Sequence, residues 1–193
     1  MKSIGHEICQ ESWEILHQNH KSKQDKYEIN VLGLDFIQYP DVFPADIFKD
    51  AEFFFFFFLT GTNLEFLEIG VGSGITSIME AMKGNKITGV DINPKAVKNA
   101  VENAIFHNVA NHCNFMVSNL FTDIQPRKFD VIYWNTPFCY CKESESLLGM
   151  SILDFKHHRL NNFFANCKYY LKNNGKILLG FSNLIGDKEM LIQ

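Results

Sequence analysis

The sequence predicts a doubly wound α/β fold, a mostly parallel, Rossmann-like sheet preceded by a short N-terminal helix and hairpin extension. Three observations predict it. After Asn63, short apolar stretches rich in β-formers alternate with helical patterns, as in parallel sheets built from strand–helix–strand units. A glycine-rich run, Gly70-Val-Gly-Ser-Gly74, directly follows the first of these strands and opens a helix. A chain of 193 residues, 46% apolar and 21% charged, has the length and make-up of one ordinary globular domain.

In chain order, Ile4, Ile8, Trp13, Ile15 and Leu16 recur at roughly helical spacing, predicting a docking helix over Ile4 to His17. The polar stretch Asn19 to Lys26 reads as a connector. Tyr27 to Tyr39 carries β-formers around Gly33 and predicts a hairpin. Asp46 is placed to cap a helix running to about Leu59, whose six consecutive phenylalanines would have to be covered on nearly every side. Those rings read as core packing rather than a base-stacking platform, because such platforms interleave aromatics with Lys or Arg.

Strands are then expected at Phe66 to Ile69, Lys86 to Val90, Asn114 to Val117, Phe129 to Trp134 and Lys176 to Phe181. Helices are expected at Ile75 to Met82, Pro94 to His107 and about Ser151 to Leu171, the last followed by the turn residues Asn173-Asn-Gly175. This divides the chain into an extension over 1–45 and a ligand-binding domain over 46–193. After Phe181 too few residues remain for a two-strand antiparallel finish to the sheet, and an uncovered edge there would invite a homodimer.

Composition narrows the function classes. A net charge of −4 gives no broad basic field of the kind that non-specific nucleic-acid binding uses. Five cysteines (Cys9, Cys113, Cys139, Cys141 and Cys167) form no disulfide framework, and no apolar signal segment opens the sequence, so a cytoplasmic location is expected. Cys139-x-Cys141 with His157 and His158 lacks zinc spacing, and no metal is expected. Lys156, His157, His158 and Arg159 read as a solvated helix face.

The ligand is constrained by the glycine run. A dinucleotide fingerprint wants glycine at position 75, where Ile75 stands, and no phosphate-loop lysine is present. Asp91 ends the next strand, 21 positions after Gly70, where a carboxylate can accept hydrogen bonds from ribose hydroxyls. Glu68 adds an acid suited to a cationic ammonium group. With these residues in place, the chain resembles the class I S-adenosylmethionine-dependent methyltransferases, whose first motif is acid-x-G-x-G-x-G and whose second ends in an acid. The resemblance implies S-adenosylmethionine as methyl donor and S-adenosylhomocysteine as product. It implies donor contacts from Glu68, Gly70, Gly72, Gly74, Asp91 with the adjoining Ile92, Asn119 with Leu120, and Asn135. Asn119 stands where many members of the family have aspartate.

Asn135-Thr136-Pro137-Phe138 follows the strand Phe129 to Trp134, on the same sheet edge. It resembles the N-P-P-Y/F motif of methyltransferases that modify planar or amino nitrogens, including the HemK-type glutamine methyltransferases and the N6-adenine enzymes. A delocalised lone pair must be turned towards the donor methyl, in line with the departing sulfur. The Asn135 side-chain oxygen and the Thr136 carbonyl can accept the two N–H bonds, Pro137 shapes the turn, and Phe138 can stack on the acceptor. Thr136 departs from the proline of the motif and loses its rigidity. The resemblance implies an amide or amino acceptor: protein glutamine first, adenine in nucleic acid or a small metabolite as alternatives. A non-catalytic donor-binding subunit is the rival of another class.

Overall fold

The computed structural model describes residues 2–49, 61–137, 139–140, 144 and 146–182. The phenylalanine run, Phe138, Cys141 and the residues after Ser182 lie outside them. Of the helix expected from Asp46, residues 46–49 form turns and the remainder is outside the described residues.

Helix α1 (Lys2–Ser22) is longer than expected and takes in much of the expected connector. Contacts beyond its apolar stripe carry it on. His20 Nδ1 lies 3.2 Å from the Pro40 carbonyl, and the Ser22 hydroxyl donates to the Asn19 carbonyl at 2.8 Å. Strands β1 (Tyr27–Val31) and β2 (Leu34–Gln38) then form the expected antiparallel hairpin. Leu32 and Gly33 both have positive φ, 53° and 82°, which suits a two-residue turn between twisted strands.

The main sheet has five parallel strands: β3 (Glu65–Ile69), β4 (Lys86–Asp91), β5 (Cys113–Val117), β6 (Phe129–Asn135) and β7 (Leu171–Gly180). Their order is β5-β4-β3-β6-β7. The direction of winding reverses between β3 and β6, which makes the carboxyl ends of that pair the place for a ligand. Helices α2 (Ile75–Met82) and α3 (Pro94–Phe106) follow β3 and β4 almost as expected.

Both faces of the sheet are covered. On one, Phe66, Ile78, Val131 and Tyr133 pack with Ile29, Val31 and Phe36 of the hairpin in a single cluster. On the other, Leu67, Ile69, Ile132 and Trp134 pack with Leu160, Phe163 and Cys167. Two side chains of α3 fasten the hairpin. Asn103 accepts from the Ile37 N–H at 2.7 Å and donates to the Ile37 carbonyl at 2.7 Å, and Asn99 accepts from the Tyr39 N–H at 2.9 Å. These fully buried amides give the outer edge of β2 the partners that another strand would supply.

The expected helix over Ser151 to Leu171 is corrected. Two 3-10 turns, Gly149–Ser151 and Phe155–His157, precede α4 (His158–Tyr170). Backbone bonds between this stretch and Cys139 compete with helix formation: Cys139 N–H donates to the Ile152 carbonyl at 3.0 Å, and Asp154 N–H to the Cys139 carbonyl at 2.8 Å. Lys156 and His157 are both left-handed, φ 51° and 53°, so no helix runs through them. Asp154 then caps α4, accepting from the N–H groups of Arg159 (2.9 Å) and Leu160 (3.0 Å). Strand β7 begins at once, at Leu171, and Asn173-Asn-Gly175 falls within an irregularity where β6 advances from Phe129 to Val131 while β7 advances from Leu171 to Lys176.

Candidate active site

A cavity of about 360 Å³ lies at the carboxyl ends of β3, β4 and β6, within the range of small-molecule sites. One end of it is built from the glycine loop. Gly72 has φ 56°, and a side chain there would meet nothing within 4 Å, so a ligand has open access to this backbone. The Gly72 N–H donates to Asp91 Oδ2 at 3.0 Å and the Asn93 N–H to Asp91 Oδ1 at 2.9 Å. One carboxylate thus ties the loop after β3 to the turn after β4. Each of its oxygens keeps a lone pair for a further donor such as a ribose hydroxyl.

Glu68 and Asp91 both face this cavity, and burial pushes both carboxyls up. Glu68 is raised to about 8, its burial opposed by hydrogen bonds from Ser77 and Thr76 and reinforced by the charge of Asp91. Asp91 is raised by burial against the bonds from Asn93, Gly72 and Ile92. Two acids that resist ionisation when alone are suited to a ligand carrying positive charge. A nucleoside with a cationic tail fits the open glycine backbone and this acidic floor.

Ile92, Asn119 and Leu120 line the same cavity, Asn119 with its side chain exposed. The Asn119 carbonyl accepts from Thr122 N–H and hydroxyl, and Leu120 is held left-handed at φ 54° by the Ser118 hydroxyl donating to its carbonyl at 3.0 Å. Gly70 also lines the cavity, against Trp134. Gly74 does not. A β-carbon on it would stand 2.9 Å from that of Ala100, at φ 87°, so this glycine lets α2 approach α3.

At the other end, Asn135, Thr136 and Pro137 line the cavity; Phe138 is outside the described residues. Asn135 is the last residue of β6 and pairs in register with Gly180. Thr136 extends that pairing. Its N–H donates to the Gly180 carbonyl at 3.0 Å and its hydroxyl donates to the same oxygen at 2.8 Å. The rigidity forfeited with the proline is supplied by two hydrogen bonds, neither of which a proline can make.

Several wall residues were not foreseen from the sequence. Ser12 of α1, Phe43 and Phe48 of the segment after the hairpin, and Met150, Ile152 and Arg159 also line the cavity. A cluster containing Cys9, Leu16, Cys139, Leu148, Ile152 and Leu153 holds α1 against this wall. None of these groups is marked by a local motif. Among the described residues, no group of three or more His, Cys, Asp or Glu is arranged to hold a metal ion, and no helix is long and apolar enough to cross a membrane.

Comparison with known proteins agrees with this architecture. A Methanocaldococcus jannaschii protein named as a protein N5-glutamine methyltransferase is 43% identical over 135 residues, covering 67% of each chain. A Fusobacterium nucleatum release factor glutamine methyltransferase is 44% identical over 85 residues, 42% of this chain and 24% of that one. The chain therefore spans about a quarter of the second relative's length. Among solved structures, an Agrobacterium tumefaciens S-adenosylmethionine-dependent methyltransferase superposes with a TM-score of 0.57 at 18% identity, over 81% of this chain and 52% of that one, a likeness of fold. A family model described as the methyltransferase small domain matches residues 33–193, and the chain belongs to that family, whose methyl donor is S-adenosylmethionine.

Proposed function

We propose that this chain transfers the methyl group of S-adenosylmethionine to a side-chain amide nitrogen, with protein glutamine as the acceptor. The observation that carries this reading is the position of Asn135 to Pro137 in one cavity with Asp91 and the glycine loop. The names of the two relatives support glutamine as the acceptor. The acidic balance of the chain argues against a nucleic-acid backbone.

When bound, the donor supplies an electrophilic methyl group on a positively charged sulfur. Glu68 and Asp91 hold its ammonium and ribose groups. Ionisation of both acids is restored by that positive charge, so donor affinity and acid charge rise together. Asn135 Oδ1 and the Thr136 carbonyl accept the two N–H bonds of the amide, twisting its lone pair towards the methyl. As the nitrogen attacks, it gains positive charge, and two fixed carbonyl oxygens stabilise that charge more than they stabilise the neutral amide. No general base is needed at the moment of transfer, because the proton leaves to water once the N–CH₃ bond has formed and the S–CH₃ bond has broken. The free thiols of Cys9, Cys113, Cys139 and Cys167 support a reducing, cytosolic setting for this chemistry.

The test is incubation of the protein with isotopically labelled S-adenosylmethionine and a recombinant release factor, followed by mass spectrometry of tryptic peptides. The expected product is one methyl group on a glutamine side-chain nitrogen. Label appearing only in RNA or in a small-molecule fraction would overturn glutamine as acceptor. Donor binding with no methyl transferred to any fraction would point to a donor-binding subunit instead.

A further inference from the structure

We propose that Arg159 is an acceptor subsite, whose guanidinium receives a carboxylate flanking the amide to be methylated. This rests on the amide-acceptor reading above. Among the described residues lining the cavity, Arg159 is the sole Lys or Arg, and Glu68 and Asp91 are the acids. The cavity is therefore polarised, with two acids at the donor end and one cation elsewhere.

The backbone fixes which end the cation occupies. Arg159 is joined to Leu153 and Asp154: its Nη2 donates to the Leu153 carbonyl, and its Nε lies 3.5 Å from Asp154 Oδ1. Leu153 and Asp154 are in turn bridged to Cys139, two residues beyond Pro137. Arg159 thus stands beside the acceptor loop. Buried Asp154 is its counter-charge through Nε alone, while the same carboxylate accepts the N–H groups that begin α4, at 2.9 and 3.0 Å, so the Nη edge of the guanidinium is not taken up by Asp154. Two of the five guanidinium N–H groups have partners among the described residues. A guanidinium is a planar fork of five donors with no acceptor, shaped for a carboxylate or carbonyl.

A second observation gives the direction of approach. A neighbouring cleft is lined by Ser144, Phe155, Lys156, His158 and Asn161, and it shares Met150 and Arg159 with the cavity. Arg159 stands at the junction of the two. The consecutive left-handed residues Lys156 and His157 shape this rim, where Lys156 and His158 are exposed. An extended peptide laid along the cleft meets Arg159 immediately before its side chain enters the cavity.

The same oxygen chemistry exists in the carboxylate of the donor's methionine tail, and the experiment separates the two sources. With S-adenosylhomocysteine bound, the unaltered protein is titrated with N-acetylglutamine and with N-acetylglutamine methylamide, which differ only in whether the flanking carboxyl is charged, and binding is followed by NMR. We expect the carboxylate form to bind about fivefold more tightly at low salt. In Arg159→Gln that preference disappears, in Arg159→Lys it is reduced, and S-adenosylhomocysteine affinity stays within twofold in both. Equal binding of the two probes by the unaltered protein overturns the proposal without recourse to any variant. So does failure of either probe to bind, and so does a loss of S-adenosylhomocysteine affinity in the variants with the preference intact, which would assign Arg159 to the donor. If the probe preference is found but no release factor is methylated, the subsite stands and the protein acceptor falls.

Discussion

The two ends of the cavity are built by opposite means. The donor end is a local construction, in which β3, the glycine loop, α2 and β4 follow one another within 27 residues and are cross-linked by backbone bonds to Asp91. The acceptor end is gathered from Ser12, Phe43, Asn135 and Arg159, which are far apart in the chain. The first is acidic and strongly constrained, while the second is largely apolar with a single cation. A site that holds one invariant donor gains from rigidity. A site that chooses its acceptor needs walls that can be exchanged without disturbing the donor.

The largest separation between the two ends is expected from Asn135→Ala. Turnover should fall about 10²-fold or more, the scale of losing one fixed partner of developing charge, while S-adenosylhomocysteine affinity by calorimetry stays within a few-fold. An equal loss of both would merge the two ends into one. Asp91→Ala should produce the reverse pattern, weakening the donor product about 30-fold, or ~2 kcal/mol for hydrogen bonds to a charged group. Retained full affinity would remove the ribose assignment.

Thr136→Val keeps the shape of the side chain and deletes the hydroxyl bond to Gly180. We expect kcat to fall about tenfold, in line with one buried hydrogen bond, with the KM for donor unchanged and with Thr136→Ser restoring activity to within about twofold. Identical kinetics for Val and Ser would leave the hydroxyl without a role. Gly74→Ala sharpens the donor end itself. The added methyl meets Ala100 in a left-handed backbone, so the protein should lose ~1–2 kcal/mol of stability in thermal melts. Donor affinity of the folded fraction should not change.

The smallest effect concerns Glu68. Its folded-state pKa is raised to about 8, from an ordinary carboxyl value. The associated stability is therefore fully present at acid pH, below the unfolded pKa, and is lost as pH rises through about 8. Asp91, also raised, acts in the same direction. The ligand-free protein should melt at a lower temperature at pH 8.5 than at pH 6, and Glu68→Gln should flatten that slope. An unchanged slope in the variant would place the titration elsewhere.

The donor end was legible in the sequence because its determinants are local. Glu68, the three glycines and Asp91 carry their phase relative to the strands in their own spacing, and all but Gly74 line the cavity. The acceptor end was legible only at Asn135 to Pro137. Ser12 and Arg159 gain their roles from contacts that no periodicity encodes. Leu153 was misleading, because its spacing from Leu160 and Phe163 suggests one helix, whereas its burial comes from a bridge to Cys139. The clamp of Asn99 and Asn103 had a usable signal: two amides four positions apart on the same stripe as Ala96, Ala100 and Ala104. Buried amides at that spacing announce a backbone to be held.

The packing of α1 against Cys139 and Leu153 has a kinetic meaning. Helix α1 precedes the sheet in the chain, yet its partners Cys139 and Leu153 lie more than 120 residues later. Closing so long a loop is entropically slow compared with the neighbouring pairings of the central sheet. The donor half is thus expected to reach its native form while α1 is still searching, and the acceptor wall closes last. A chain caught between these stages would recognise the methyl donor and have nothing to methylate.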